Sequence, residues 1–329
     1  MALMDYVKFG NTGMDVSKLC LGCMSFGDAS TGFHKWVLGE EDTDRMIKLA
    51  LDQGINFFDT ANVYSAGTSE EYVGKALKKY ANRDEIVLAT KVWGEMHKGP
   101  NGKGLSRKAI LSEIDKSLKR LGTDYVDLYI IHRWDYDTPI EETLEALHDV
   151  IKAGKARYIG ASAMYAWQFQ KALHVAEKQN LTRFVSMQNH LNLIYREEER
   201  EMLPLCKDEK IAVTPYSPLA GGKLTRDLSE TTFRNDTDAI LKMKYGHAEE
   251  QDRVIIERVA ELAEKYDVKR AQLALAWVLH KDEVTSPIIG STKEEHITDA
   301  IKSLTIELSQ EDMNYLEEAY VPHRVIGAQ

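Results

Sequence analysis

The sequence predicts an α/β chain closed as a (β/α)8 TIM barrel, with an N-terminal β-hairpin and long βα loops, in one domain over residues 1–329. Three observations carry this expectation. Eight short runs rich in β-branched and aromatic residues recur along the chain. They are largely without polar alternation, as parallel strands covered on both faces must be. Amphipathic stretches of helical period separate them. No G-x-G-x-x-G turn follows the first run, where "GCMSFGD" stands, so a doubly wound dinucleotide-binding sheet is disfavoured.

In "YVKFGNTGMDVSKLCLG" two strand-like pieces flank Asn11-Thr12-Gly13, a turn signal, and predict a hairpin that plugs or edges the barrel. The barrel strands are read in "KLCLGCM", "INFFDTA", "EIVLATKV", "YVDLYIIH", "ARYIGAS", "FVSMQNH", "IAVTPYSPL" and "SPIIGS". In "RKAILSEIDKSLKRLG", Ile110, Leu111, Ile114, Leu118 and Leu121 share one helical face, with Ser106 as N-cap and Gly122 as C-cap. In "DTPIEETLEALHDVIKAGK", Thr138 is expected to cap, with Pro139 at the first helical position and Glu141 completing a capping box; Gly154 ends the helix. "VIIERVAELAEKY" and "AQLALAWVLHK" predict two helices before the last strand, and "EEHITDAIKSL" and "SQEDMNYLEEAY" two after it. The long loops 25–42, 93–106 and 220–249 each follow a strand and precede a helix, which puts the elaborated connections on one side.

Composition narrows the function. A net charge of -10 over 329 residues argues against nucleic acid and against an anionic membrane as partner. Three cysteines, Cys20, Cys23 and Cys206, form no even set and suit a reducing compartment. Cys20 and Cys23 have C-x-x-C spacing, but positions three apart on a strand face opposite ways, and no second pair completes a zinc site. No apolar leader opens the chain, and its most apolar run, "LALAWVL", is too short to span a bilayer. A soluble, cytoplasmic protein is expected, without a metal; the oligomeric state stays open.

In such a barrel chemistry collects at the C-terminal ends of the strands. Read in order, those ends carry Asp59, Lys91, His132, Ser162, Gln188 with Asn189, Tyr216 with Ser217, and Ser291 with Thr292. Burying so many polar groups is costly unless they bond one another or a ligand. Asp59, Tyr64, Lys91 and His132 make a chemical unit. A phenol is a poor acid at neutral pH, and a neighbouring ammonium lowers its pKa. A carboxylate keeps that ammonium charged and in place. A histidine beside the phenol orients a carbonyl oxygen. The set suits protonation of a developing alkoxide. Trp93, close behind Lys91, either lines a substrate pocket or packs; Arg133, beside His132, either meets an anionic substrate or is solvated.

The segments "GINFFDTANVYSAGTSEEYVGKAL", "LATKV", "YVDLYIIH", "GKARYIGAS", "VSMQNHLNL", "TPYSPLAGGKL" and "PIIGSTKEEH", in this order and spacing, resemble the aldo-keto reductases over nearly the whole chain. The branch resembled is that of bacterial-type aldehyde reductases and relatives of the potassium-channel β-subunit. The resemblance implies a catalytic tetrad of Asp59, Tyr64, Lys91 and His132 and an NADP(H) laid across the barrel mouth. It implies cofactor contacts from Cys23, Met24 and Asp59, and carboxamide contacts from Ser162 and Gln188. It further implies that Tyr216 stacks on the nicotinamide, that Ser217, Pro218, Leu219, Gly221, Lys223 and Arg234 follow the pyrophosphate, with Lys223 as a phosphate contact, and that Gly290, Thr292, Lys293 and His296 surround the 2′-phosphate. Three positions depart from the family pattern: Ala163 for Asn, Leu191 for Tyr, and Asp299-Ala300 for Glu-Asn. The activity implied is NADPH-dependent reduction of aldehydes or ketones, sugar-derived ones included. A nicotinamide-bound regulatory or redox-sensing subunit is the alternative, and a barrel lyase using Lys91 as a Schiff-base nucleophile is a third. The loop 220–250, with Lys223, Arg226 and Arg234, is expected to strap over a bound pyrophosphate.

Overall fold

The computed structural model describes residues 4–227, 230, 237–238, 243–245 and 249–326. Arg234 and about half of the expected strap lie outside the described residues. The chain opens with a hairpin in which β1 (Tyr6–Lys8) pairs antiparallel with β2 (Asp15–Ser17). Eight parallel strands follow: β3 (Cys20–Gly22), β4 (Phe57–Asp59), β5 (Val87–Val92), β6 (Val126–Ile131), β7 (Ala156–Ser162), β8 (Ser186–Gln188), β9 (Ala212–Val213) and β10 (Ile288–Gly290). They are ordered β10-β3-β4-β5-β6-β7-β8-β9. The ends of this sheet meet: Val213 bridges Val284 in parallel, and Ile288 N–H donates to the Pro215 carbonyl at 2.9 Å. The expected barrel is present, with all eight of its strands.

Two apolar layers hold it. The inner one contains Cys20, Phe57, Val87, Ala89, Leu128, Ile130, Ala212 and Ile288. Phe9, at the end of the hairpin, joins it, edge-on to Phe57 at 5.6 Å between ring centres. The hairpin is therefore a plug for the N-terminal end of the barrel. Gly10 makes the close approach possible: at φ +56° a Cβ would stand 2.6 Å from the Ala212 nitrogen. The outer layer, Leu21, Phe58, Leu88, Tyr129, Ile159, Met187 and Val213 among others, belongs to the larger core shared with the helices. Cys20 lies in the inner layer and Cys23 in the outer one, and neither is oxidised.

The helices are α1 (Glu40–Asp52), α2 (Thr68–Tyr80), α3 (Arg107–Leu121), α4 (Ile140–Lys152), α5 (Ala166–Lys178), α6 (Met202–Asp208), α7 (Glu249–Lys265), α8 (Arg270–Leu279), α9 (Glu294–Ser303) and α10 (Gln310–Glu317). Among the described residues none is long and apolar enough to cross a membrane. Helix α3 is capped as expected: Ser106 Oγ accepts from the Ala109 N–H, and Gly122 takes a left-handed φ of 67°. Its buried face differs in one respect. Leu111 is only half-buried, whereas Glu113 is buried beside Ile114.

Two local expectations are corrected. Thr138 does not cap α4: its hydroxyl donates to Asp135 Oδ2 at 2.8 Å, and Pro139 occupies the N-cap position without a side-chain bond. Asp135 also accepts the Leu105 N–H at 2.7 Å, so the threonine serves the loop before α3 instead of the helix behind it. Strand β9 is only two residues long, shorter than the run "IAVTPYSPL" suggests. Its bonds to the β8 side run on without a gap: Thr214 N–H donates to the Met187 carbonyl at 3.0 Å and Tyr216 N–H to the Asn189 carbonyl at 2.8 Å, while Pro215 between them faces β10 and accepts from the Ile288 N–H.

Candidate active site

Strand side chains alternate between faces, so the residue two beyond an inward one also points inward. Phe57, Ala89 and Ile130 are inner-layer residues. The next inward positions are Asp59, Lys91 and His132, and by the same step Ser162 follows Gly160 and Gln188 follows Ser186. Each is the last inward residue of its strand, where the apolar filling ends and the mouth begins.

Lys91 is fully buried, and Asp59 nearly so. The Lys91 ammonium donates to Asp59 Oδ1, to the Thr60 carbonyl at 2.8 Å and to the Tyr64 hydroxyl at 3.2 Å. Its three N–H groups are thereby satisfied. Asp59 keeps its second oxygen for Gln188 Nε2, at 2.9 Å. The half-buried His132 stands edge-on to the Tyr64 ring, 5.7 Å between centres.

Burial opposes charge on Lys91, but the Asp59 carboxylate and Tyr64 outweigh it and raise its pKa. Burial, with the nearby cations of Lys91, Arg133 and Lys244, pushes His132 well below the usual imidazole value, so it is neutral at pH 7. Tyr64 departs from expectation. The ammonium does favour phenolate, but burial of the phenol is the larger effect and its pKa is raised. The phenol stays protonated at neutral pH.

Backbone strain gathers at the same rim. Among the described residues ten non-glycine residues have positive φ, and seven of them lie in loops that follow barrel strands: Ser65, Ala66, Trp93, Asn101, Ala163, Ser217 and Ala220. Such conformations persist where surrounding structure over-determines them, often at functional sites. Ser65, Ala66 and Gly67, at φ 46°, 53° and 96°, curl the chain immediately after Tyr64. Trp93, at φ 151°, brings its ring under the Arg133 guanidinium at 5.8 Å, so the two suggested substrate residues meet beside His132.

Ser162 and Gln188 are register partners at the ends of β7 and β8, so a hydroxyl and an amide stand side by side next to Asp59. Tyr216 lies parallel to His190, 5.2 Å between ring centres and 7° between planes, and the Lys244 ammonium stands 4.6 Å from its ring centre. Ser217, the buried Pro218 and Leu219 lead into the turn Ala220–Thr225, which holds the left-handed Gly221 and Gly222 and also Lys223. A Cβ on Gly222 would stand 2.1 Å from the Arg226 guanidinium. The Cys23 thiol is buried, donating to the Leu21 carbonyl at 3.5 Å, while Met24 is half-buried. Gly290 ends β10, Thr292 N–H donates to His296 Nδ1 at 3.3 Å, and Lys293 precedes α9 with its ammonium 3.5 Å from Glu295. Leu191 is buried core, and Asp299 is tied to α8 by Lys269 at 2.6 Å and Gln272 at 3.2 Å.

Several residues of the site were missed by sequence reasoning. Phe33 approaches the Tyr64 ring at 6.0 Å, and the Thr60 carbonyl anchors Lys91. Lys244 and Tyr245 come from the far end of the long loop, where Tyr245 is hydrogen-bonded to His190 at 2.6 Å. Ala163 sits at φ 48°, which costs an L-residue about 1 kcal/mol and which asparagine tolerates better. Ala163→Asn is therefore expected to raise the unfolding free energy by up to about 1 kcal/mol, read from the urea midpoint.

Comparison with known proteins bears on this arrangement. The model of the aldo/keto reductase family matches residues 18–321. Versiconal hemiacetal acetate reductase of Aspergillus parasiticus is 44% identical, with 98% of each chain covered. A Schizosaccharomyces pombe protein provisionally named an aryl-alcohol dehydrogenase is also 44% identical, over 98% of this chain and 97% of its own. The aldo-keto reductase dtxS3 of Metarhizium robertsii is 42% identical over 98% of this chain and 93% of its own.

Proposed function

The chain belongs to the aldo/keto reductase family, and we propose that it is an NADPH-dependent reductase of aldehydes or ketones with Tyr64 as the proton donor. The observation that carries this reading is the Lys91 ammonium, bonded at once to Asp59, Thr60 and Tyr64. It supports the phenol and is held too firmly in its charged form to serve as a Schiff-base nucleophile. The names of the relatives, a reductase and an aryl-alcohol dehydrogenase, support carbonyl and alcohol chemistry of the same kind. Placement beside the bacterial-type aldehyde reductases and channel β-subunits rests on the sequence motifs alone, because the relatives named here are fungal.

The residues at the mouth fit a nicotinamide dinucleotide. The adjacent hydroxyl and amide of Ser162 and Gln188 suit a carboxamide, Tyr216 offers a ring to stack on, and the glycine turn with Lys223 and Arg226 suits phosphates. When bound, the reduced nicotinamide supplies the hydride. The neutral His132 is placed to orient the carbonyl oxygen, and Tyr64 delivers its proton to the alkoxide as it forms. Lys91 then stabilises the phenolate left behind, and Asp59 keeps Lys91 charged. Trp93 and Arg133 form one wall of the substrate pocket.

The test is steady-state NADPH oxidation across aryl aldehydes, aliphatic aldehydes, ketones and sugar-derived aldehydes. Turnover with at least one class is expected, and its absence from every class would overturn the reading. NADPH is expected to be preferred over NADH, with Lys293 meeting the 2′-phosphate and Thr292 beside it. A charge-assisted contact contributes roughly 1.5–3 kcal/mol, so Lys293→Ala should weaken NADPH by about ten-fold or more while leaving NADH nearly unchanged. Equal wild-type titrations with the two cofactors would contradict it.

A further inference from the structure

Glu113 is a buried carboxylate on the face of α3 where helical period calls for an apolar residue. Burying a charge is expensive, and an apolar replacement in such a position is often neutral or stabilising. Its presence asks for a reason outside α3. Glu113 Oε2 accepts a hydrogen bond from Asn62 Nδ2 at 3.1 Å, while Oε1 accepts from Lys116 at 2.7 Å. Asn62 is fully buried and lies two residues before Tyr64. Its backbone N–H donates to the Lys91 carbonyl at 3.3 Å. One residue thus joins three things: the segment that carries the phenol, the strand that carries the ammonium, and a carboxylate from the helix outside.

The rest of the turn is held from the same side. Glu70, also fully buried, accepts from Thr90, the residue before Lys91, at 2.6 Å, and from Arg120 of α3 at 2.6 Å. The Arg120 side chain packs under Gly67, where a Cβ would come within 2.7 Å of it. Between these anchors the chain makes its left-handed curl at Ser65, Ala66 and Gly67. A curl of that kind does not hold itself in place.

We propose that Glu113, acting through Asn62, is the positioning residue that holds Tyr64 at hydrogen-bonding distance from Lys91. The inference rests on the reading of Tyr64 as proton donor. Glu113 touches neither substrate nor cofactor; it fixes the geometry from which the proton leaves, and a misplacement of about 1 Å can cost on the order of 10²-fold in rate.

The test compares Glu113→Leu with Glu113→Gln in the full chain, using a carbonyl that the wild type reduces. Glutamine retains an oxygen to accept from Asn62, whereas leucine suits the apolar face but leaves the amide without its acceptor. Glu113→Leu is expected to lower kcat about ten-fold or more, with KM for carbonyl and for NADPH within about two-fold and an increased solvent deuterium isotope effect on kcat. Glu113→Gln is expected to restore kcat to within about three-fold of wild type. If Glu113→Leu does not fold, Asn62→Leu is expected to show the same loss in kcat and the same isotope effect. Where both fold, the double variant should lose no more than either single one. The proposal is overturned if either leucine variant keeps wild-type kcat, if its loss falls on KM, if the isotope effect does not change, or if glutamine is as poor as leucine. Failure with an active wild type leaves the reductase reading standing. A wild type that reduces no carbonyl removes both.

Discussion

Tyr64→Phe is expected to lower kcat for carbonyl reduction by at least about 10²-fold, the lower range for loss of a general acid, with cofactor affinity close to wild type. The substitution removes one oxygen and leaves the ring between Phe33 and His132. The hydroxyl accepts one bond, from an ammonium that keeps both Asp59 and the Thr60 carbonyl. The fold should therefore survive, and the loss should appear in the chemical step. Cofactor affinity is read on the same samples by quenching of protein fluorescence. Turnover retained within a few-fold would remove Tyr64 from the mechanism.

Lys91→Met is expected to act on both stability and turnover, and its stability effect is the larger of the two. It leaves the Asp59 carboxylate buried with Gln188 alone for company, and removing one partner of a buried pair costs about 3–5 kcal/mol. Turnover should fall by at least about 10²-fold, because the phenolate left after proton transfer has no cation beside it. The Lys91 pKa is raised in the folded protein, so its contribution to stability is complete below the ordinary lysine value and is lost only as pH rises through the folded one. The difference in urea midpoint between wild type and variant should be flat from about pH 6 to pH 9 and shrink only above the ordinary lysine value, near pH 10.4. A variant as stable and active as wild type would show that Lys91 is not part of the unit.

The barrel was legible because its signals are local. Each strand is a short buried run and each helix an amphipathic period, and Ser106 and Gly122 mark the ends of α3 from within a few residues. The grouping at the mouth was legible for a related reason: Asp59, Lys91 and His132 interrupt apolar runs at the same end of three strands. What could not be read depends on partners distant in sequence. Thr138 looked like a cap until Asp135 took its hydroxyl. Glu113 was not singled out in the sequence, although its place among Ile110, Ile114 and Ser117 was a usable signal, and only the fold brings it to Asn62. The balance at Tyr64 required knowing how deeply the phenol is buried, a quantity no spacing reveals. Lys244 and Tyr245 reach the mouth from a loop without helical period, so nothing in the sequence announced them.

Reduction by this chain requires that a hydride pass from the bound nicotinamide to the carbonyl carbon. Its most direct test uses NADPH bearing deuterium at both C4 positions and an aldehyde that the enzyme reduces. The product alcohol is expected to carry one deuterium on its carbinol carbon, with one NADPH consumed for each alcohol formed. An alcohol without deuterium would contradict this transfer, as would substrate trapped on Lys91 by borohydride.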